Sequence, residues 1–434
     1  MCHGGCGVLV HVVDGIIRKV TGDPDSPLNK GQLCPKGAAG IDIVYHPDRL
    51  THPMKRVGAR GEGRWARIGW DEAYDIIAEK LERIIAENGP ESIAIGTGTG
   101  RHHCNFVPRF ANALGTPNWC EPGHAQCFFP RVNVSHMTFG ALPVCDYYGD
   151  VKPACVLVWG HNPLNSGPDG ELPFHTRHLM NAGKTKYIVV DPRRTKIAEE
   201  AAVWCQVRPG TDDALALAMI NVIIAEELYD RAFVEKWTHG FVQLSEHVRS
   251  FTPEWAEPIT WVPADTIRAA ARLFATTRPA AVEWGCAIEH TPNSMQTARA
   301  IAILPAITGN IDIPGGWVLG TPVVPPVPSL DHNLTPAVKA KRLGSQEFRV
   351  LGQLNVQPSA HIPAVFKAMR TGEPYPVRAF MVACLVAAAG RCRPRGCRDT
   401  TSGQLPPAWP GSIRRGCGRT GHRAGWSAEN RPLP

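Results

Sequence analysis

Cys2 and Cys6 are separated by three residues, and Cys34 follows Cys6 after 27 more, inside Cys34-Pro35-Lys36-Gly37. Close cysteines on a glycine-rich loop can wrap a metal centre, because small residues let backbone N–H groups point at the sulfurs. Thiolate ligands suit iron–sulfur clusters and zinc. Unpaired structural thiols are the alternative reading. A disulfide framework is not expected, since no basic and apolar leader opens the chain and the remaining cysteines of residues 1–384 are scattered.

A second group of residues sits where strands are expected to end. Gly160-His161-Asn162-Pro163 closes the apolar run Cys155–Trp159, Asp191 closes Tyr187–Val190, and Arg208-Pro209-Gly210-Thr211-Asp212 follows Val203–Val207. Open α/β sheets take their ligands beyond the carboxyl ends of the strands. Gly160 allows close backbone approach, Asn162 can bond a phosphate or a heterocycle edge, and the helix opened at Asp212 favours phosphate at its N-terminus. Asp212 can accept from a guanine amino edge and can serve as an acid in the helix cap, and both roles can hold together. No Gly-x-Gly-x-x-Gly follows any of these strands, which argues against an ordinary NAD domain.

The elements that must position these residues are legible in outline. Val8–Val13, Asp14-Gly15 and Ile16–Val20 read as a β-hairpin. Asp71–Asn88 reads as a helix stopped by Gly89-Pro90, and Ser92–Ile95 as a strand entering the glycine run Gly96–Gly100, which lacks the Lys-Ser/Thr of a phosphate-binding loop. Leu172–Ala182, Asp212 to about Glu227 and Pro263–Thr276 read as helices, and Ala280–Trp284 and Ala379–Val382 as further strands. Strands alternating with helices imply parallel sheets. The proline-rich 322–328 stretch reads as a connection between domains.

Composition adds bounds. The 434 residues are 44% hydrophobic and 20% charged, enough for two to four domains. No run of about 18 uncharged apolar residues is present, so no membrane span is expected. The net charge of +7 lies wholly in residues 385–434, which hold nine Arg and two acids. Residues 1–384 are balanced, which removes the basis for a nucleic-acid reading. From Leu385 onward neither strand nor helix periodicity persists. A frameshifted, unpacked tail is expected there rather than a basic nucleic-acid-binding arm. Cys392, Cys397, Cys417 and His422 in it lack the paired spacing of a zinc site.

The run Cys2-x3-Cys6-x27-Cys34-Pro-Lys-Gly resembles the iron–sulfur segment of the molybdopterin oxidoreductases, the dimethyl-sulfoxide-reductase superfamily. Trp119–Val132 with Thr138-Phe139-Gly140 resembles that family's metal-ligand segment, and Asp191-Pro192-Arg193-Arg194-Thr195, Glu283–His290, Thr308–Gly316 and Tyr375–Val382 resemble further segments. The resemblance runs from Cys2 to about Cys384. It implies a [4Fe–4S] cluster on Cys2, Cys6 and Cys34, with the family's first cysteine falling before Met1. It implies bis(molybdopterin guanine dinucleotide) carrying molybdenum or tungsten, with Cys127 as protein ligand to the metal. Register with Pro130 and Val132 favours Cys127 over Cys120 and His124. Lys36 matches the lysine between cluster and pterin, Asp191 and Thr195 match a guanine-dinucleotide contact, and Glu289-His290 offers a substrate-side acid/base pair, or a structural one.

The expected fold class is therefore α/β and multi-domain. Residues 1–55 form a small iron–sulfur β-domain, 56–145 with 325–384 a discontinuous α/β domain, and 146–324 a Rossmann-like dinucleotide-binding domain. The C-terminal barrel of the family is expected to be absent. The expected function is oxidoreduction, moving electrons or an oxygen atom between a small-molecule substrate and an iron–sulfur electron-transfer subunit. The alternatives are a non-redox hydratase on the same scaffold, or an inactive fragment. A hydratase is expected to carry an acid after the second cluster cysteine, where this chain has His3. The protein is expected in the cytoplasm, or in the periplasm if a twin-arginine signal precedes Met1.

Overall fold

The computed structural model describes residues 5–98, 105–165, 172–320, 327–350 and 358–383. The expectations for Cys2 and His3, for most of the 322–328 connection and for the 385–434 tail lie outside the described residues. Among the described residues no helix is long and apolar enough to cross a membrane.

The expected hairpin forms from Val8–Val13 and Ile16–Gly22, paired antiparallel with a register shift between His11 and Val12. Asp14 and Gly15 both have positive φ, 51° and 75°, the conformation that a two-residue turn needs to match the twist of the strands. The chain then returns through a loop held by Asn29, which is 1% exposed. Its side chain accepts from Gly7 N–H at 2.8 Å and donates to the carbonyls of Gly7 and Gln32 at 3.0 and 2.7 Å. That loop delivers Cys34 to the start of the short helix Pro35–Ala38, where proline fits because the first N–H groups of a helix need no intrahelical acceptor.

A four-stranded parallel sheet forms the largest core. Its strand order is Val203–Cys205, Lys186–Val190, Cys155–Trp159, Ala280–Trp284. Cys155–Trp159 is buried along its whole length, as a strand covered on both faces must be. Its side chains alternate between two apolar clusters. Cys155, Leu157 and Trp159 pack with the helices Asp212–Ala225, Ala264–Thr276 and Ser294–Ile307, while Val156 and Val158 pack with Leu179 and Tyr187 on the other face. Asp212–Ala225 is buried nearly all round because it also meets Pro253–Thr260 and Ser294–Ile307.

A smaller parallel sheet has the order Ala379–Ala383, Ile93–Thr97, Trp119–Cys120. It pairs residues almost 300 positions apart in the chain. The helix Trp70–Asn88 covers one face and ends at Gly89, whose φ is 78°. Leu343, Ala360, Val365 and Ala368 cover the other.

Several helices carry no clear signal in the sequence. Phe129–Phe139 and Ser294–Ile307 each contain a proline, at positions 130 and 305, and both are so buried that their apolar faces are not confined to one side. The strand expected to reach Val207 stops at Cys205, and the helix expected from Pro263 begins at Ala264.

Candidate active site

Cys6 and Cys34 line one cavity of about 420 Å³, walled by Val8, Val10, Ile17 and Val20 of the hairpin and by Leu33 and Ile41. Its lining combines two thiols with apolar side chains. Such a lining shelters a thiolate-bound cluster from water, and the soft donors suit iron. Lys36 is exposed in the turn that follows Cys34, two residues away. Among the described residues no three His, Cys, Asp or Glu side chains converge on one metal ion.

Cys127 is half-buried between two helices, Gly123–Gln126 and Phe129–Phe139. Its N–H donates to Gly123 O at 3.0 Å. The Cys286 thiol donates to the Cys127 sulfur, and this bond holds the Cys127 thiol below its ordinary value against the opposing effect of burial. The Phe128 N–H and the charges of Arg131 and His290 act in the same direction as the bond. Cys286, as donor, is pushed up. A half-buried sulfur that favours its thiolate fits a soft-metal ligand.

The two competing ligands are committed elsewhere. Cys120 is fully buried in its strand, and burial pushes its thiol up to about 12. His124 is 3% exposed; its Nδ1 hydrogen-bonds Ser359 Oγ at 2.7 Å, and its Nε2 lies 3.2 Å from Glu121 Oε2. Its ring stacks against Phe129 with centroids 3.6 Å apart.

Arg131 ties this turn to the end of the Ala280–Trp284 strand. Its Nε donates to Glu289 Oε1 at 2.8 Å and its Nη2 to Cys286 Sγ at 3.6 Å, while Nη1 donates to Trp284 O. The Glu289 side chain is fully buried, and burial raises its carboxyl above the usual range against the pull of Arg131. Of the expected Glu289–His290 pair, acid/base or structural, Glu289 takes a structural role. Glu289 is locked to Arg131, whereas His290 is exposed and contributes to the field at Cys127.

The strand-end residues gather along the carboxyl edge of the four-stranded sheet. Gly160 has φ 59° and donates its N–H to Val190 O at 3.0 Å. A Cβ on neighbouring Gly285 would meet Gly160 O at 2.2 Å, so glycine is required where the two strands end together. Asn162 and Asp191 are 8% and 7% exposed. Asp191 Oδ1 accepts from Arg193 N–H at 2.8 Å, shaping the turn that leads to Thr195. Thr195 caps the helix Lys196–Glu199, its Oγ1 accepting from Ala198 N–H. Arg208 is exposed and stands over the Trp261 ring, 5.3 Å from its centroid, and Gly210 has φ 85°. Asp212 opens the helix as the cap reading expects, its Oδ1 accepts from the Trp159 indole N–H at 2.8 Å, and burial raises its carboxyl. It braces the core, and Thr211 takes the cap position.

Arg131, Cys286, Glu121 and Ser359 were not singled out from the sequence. Arg131 and Cys286 lie inside stretches that stood out, but 155 positions separate them, and no local spacing signals their contact.

The family model for molybdopterin oxidoreductase matches residues 49–372, and the model for the molybdopterin oxidoreductase Fe4S4 domain matches residues 1–46. The chain belongs to the molybdopterin oxidoreductase family. Acetylene hydratase of Syntrophotalea acetylenica is 36% identical over 408 residues, covering 87% of this chain and 55% of that protein. The thiosulfate reductase molybdopterin-containing subunit PhsA of Salmonella typhimurium is 31% identical over 400 residues, covering 88% and 51%. The solved structure of acetylene hydratase from Pelobacter acetylenicus matches with a TM-score of 0.77 and 34% identity over 87% of this chain and 55% of that one. The chain thus spans about half the length of these relatives. Membership implies a molybdopterin cofactor and a [4Fe–4S] cluster; the Cys6–Cys34 cavity presents two thiols and the Cys127 turn one, donors of the kind these groups take.

Proposed function

We propose that this chain is the cofactor-holding part of an oxidoreductase that moves electrons or an oxygen atom between a small molecule and an iron–sulfur partner subunit. The observation that carries the reading is the Cys127 sulfur, half-buried, accepting from Cys286 and held beside Arg131. When bound, a molybdenum or tungsten bis(molybdopterin guanine dinucleotide) supplies two-electron redox chemistry at the metal. The chain's own residues do the rest. Cys127 is the protein ligand. Arg131 fixes the ligand's turn against Trp284 and Glu289, and His290 faces solvent beside it. Gly160, Asn162, Asp191, Thr195, Arg208 and Gly210 supply close approach, hydrogen bonds and positive charge for the guanine dinucleotides. Cys6 and Cys34, with Cys2, would hold the cluster, and Lys36 would stand between it and the pterin. The proposed division into 1–55, 56–145 with 325–384, and 146–324 draws support from the separate hairpin and the two parallel sheets, while Pro143–Cys145 pairs across its 145/146 boundary with Trp317–Leu319.

A second reading is non-redox hydration, favoured by the 36% identity to acetylene hydratase over most of the chain. One anaerobic experiment separates the two. Viologen-linked turnover of a sulfoxide, thiosulfate or formate supports oxidoreduction. Conversion of acetylene without any electron acceptor supports hydration and overturns the first reading.

A further inference from the structure

A second, smaller cavity lies away from both cysteine sites. Its volume is about 60 Å³, and it is lined by Lys30, Lys152, His175 and His178 together with the rings of Tyr147 and Phe174. It joins three segments of the chain: the Leu28–Lys30 loop, the segment before Cys155, and the first turns of Leu172–Ala182. Four basic side chains line it and no carboxylate does. His175 is 4% exposed and its Nε2 is hydrogen-bonded to Leu28 O. Lys152 Nζ donates to the carbonyls of Tyr147 and Gly149 at 2.9 and 2.7 Å, which anchors the ammonium without neutralising it. Like charges gathered in a half-enclosed space repel, and water screens them poorly there.

We propose that this cavity binds a small inorganic oxyanion of the sulfate or phosphate class, held by Lys30, Lys152, His175 and His178. Charge complementarity is the first argument: an oxyanion is the acceptor-only partner that two ammonium groups, two imidazoles and no acid call for, with His175, whose Nε2 serves Leu28 O, donating from Nδ1 once protonated. Size is the second. A cavity of about 60 Å³ has room for a few water molecules. It takes a compact ion, not a base and sugar.

The site is also proton-linked. Burial, with the charges of Lys152, Lys30 and His178, lowers the pKa of His175. These cations face it from the loop, from the 147–152 segment and from its own helix; the Tyr147 and Tyr148 rings, with centroids 6.5 and 4.7 Å away, are the other titratable neighbours. An anion reverses the repulsion, so binding raises the affinity of His175 for a proton. Affinity must then rise as pH falls. Occupancy has a structural consequence as well. Leu28 and Lys30 flank Asn29, whose side chain brackets Gly7 beside Cys6. An ion held by Lys30 tightens the loop that returns the chain to Cys34.

Calorimetric titration of the full chain with sodium sulfate tests this, because sulfate keeps its charge between pH 6 and 8. One saturable site is expected, several-fold tighter at pH 6 than at pH 8. Lys30→Gln and Lys152→Met are each expected to weaken it at least tenfold, and His175→Gln to abolish the pH dependence. Should the substitutions at Lys152 or His175 prevent folding, Lys30→Gln with the exposed His178→Gln carries the test. Absence of saturable binding overturns the proposal, as does binding unchanged in those two variants. Guanosine monophosphate separates the sources. It is expected not to displace sulfate; displacement at equal or higher affinity would assign the site to a phosphate ester and overturn the inorganic assignment. None of these outcomes depends on the redox reading.

Discussion

His124 Nδ1 and Ser359 Oγ, 235 residues apart in the chain, are hydrogen-bonded at 2.7 Å, and both residues are buried. The bond joins the turn that carries Cys127 to the segment entering the Ile362–Thr371 helix, where Ala360 N–H also donates to Trp119 O at 2.7 Å. Ser359→Ala removes one partner and leaves a buried imidazole nitrogen unsatisfied. A loss of about 1–3 kcal/mol is expected, read as a lower urea midpoint with an unchanged slope. Unchanged stability would mean that the bond does not hold the turn.

Arg131 and Glu289 form a buried pair whose carboxylate side is wholly shielded from solvent. Arg131→Met strands that carboxylate, and breaking a buried pair in this way costs about 3–5 kcal/mol. The cost must depend on pH. Glu289 already has its pKa raised by burial, and without Arg131 it rises further. A carboxyl whose folded-state value lies above its unfolded one binds a proton on folding, so stability grows as pH falls. Arg131→Met is therefore expected to be less destabilised at about pH 5 than at about pH 8. Paired denaturation curves at the two pH values check this; a penalty that grows on acidification would contradict the assignment.

The pattern of success in reading the sequence follows the range of the forces involved. Cys155–Trp159, Leu172–Ala182 and Ala280–Trp284 were expected with the bounds they have. A continuous apolar run or a single amphipathic face is a local property. The Asp14-Gly15 turn was legible for the same reason, since two consecutive positive φ angles restrict residue choice. Phe129–Phe139 and Ser294–Ile307 were not legible, because burial on several sides erases the helical period. At the site, Cys127 was proposed through the register of one stretch. Its partner Cys286, the ties that Arg131 makes to Cys286 and Glu289, and the bond from Trp159 to Asp212 depend on contacts across 53 to 159 positions. Local spacing contains no record of such contacts.

Cys6 and Cys34 share a cavity, so replacing either thiol is expected to release iron without unfolding the sheets. Cys34→Ser is expected to lower iron content and visible absorption in anaerobically purified protein, while far-ultraviolet circular dichroism changes little. Cys120→Ser serves as the control. That thiol is buried in its strand and protonated over the working range, as its value of about 12 requires, and it faces no metal site. Iron retained in Cys34→Ser, or lost equally in Cys120→Ser, would remove Cys34 from the ligand set.

Asp230 does two jobs at the start of the Arg231–Trp237 helix. One carboxylate oxygen accepts from Phe233 N–H at 2.9 Å and the other from Arg278 Nη1 at 2.8 Å. The cap bond, then the Arg278 contact, holds the carboxyl below its ordinary value. A depressed carboxyl contributes stability that is present above its unfolded value and lost as pH falls through its folded one. Losing an N-cap side chain costs about 1 kcal/mol. The Arg278 pair adds little, because that guanidinium is 42% exposed and water screens it. Asp230→Ala is thus expected to lose about 1 kcal/mol near neutral pH. The gap from the parent protein should close on acidification below the ordinary carboxyl value of 3.8. Thermal midpoints of both proteins across an acid series measure it. A gap that stays constant through the acid range would show that the side chain acts through packing rather than through its charge.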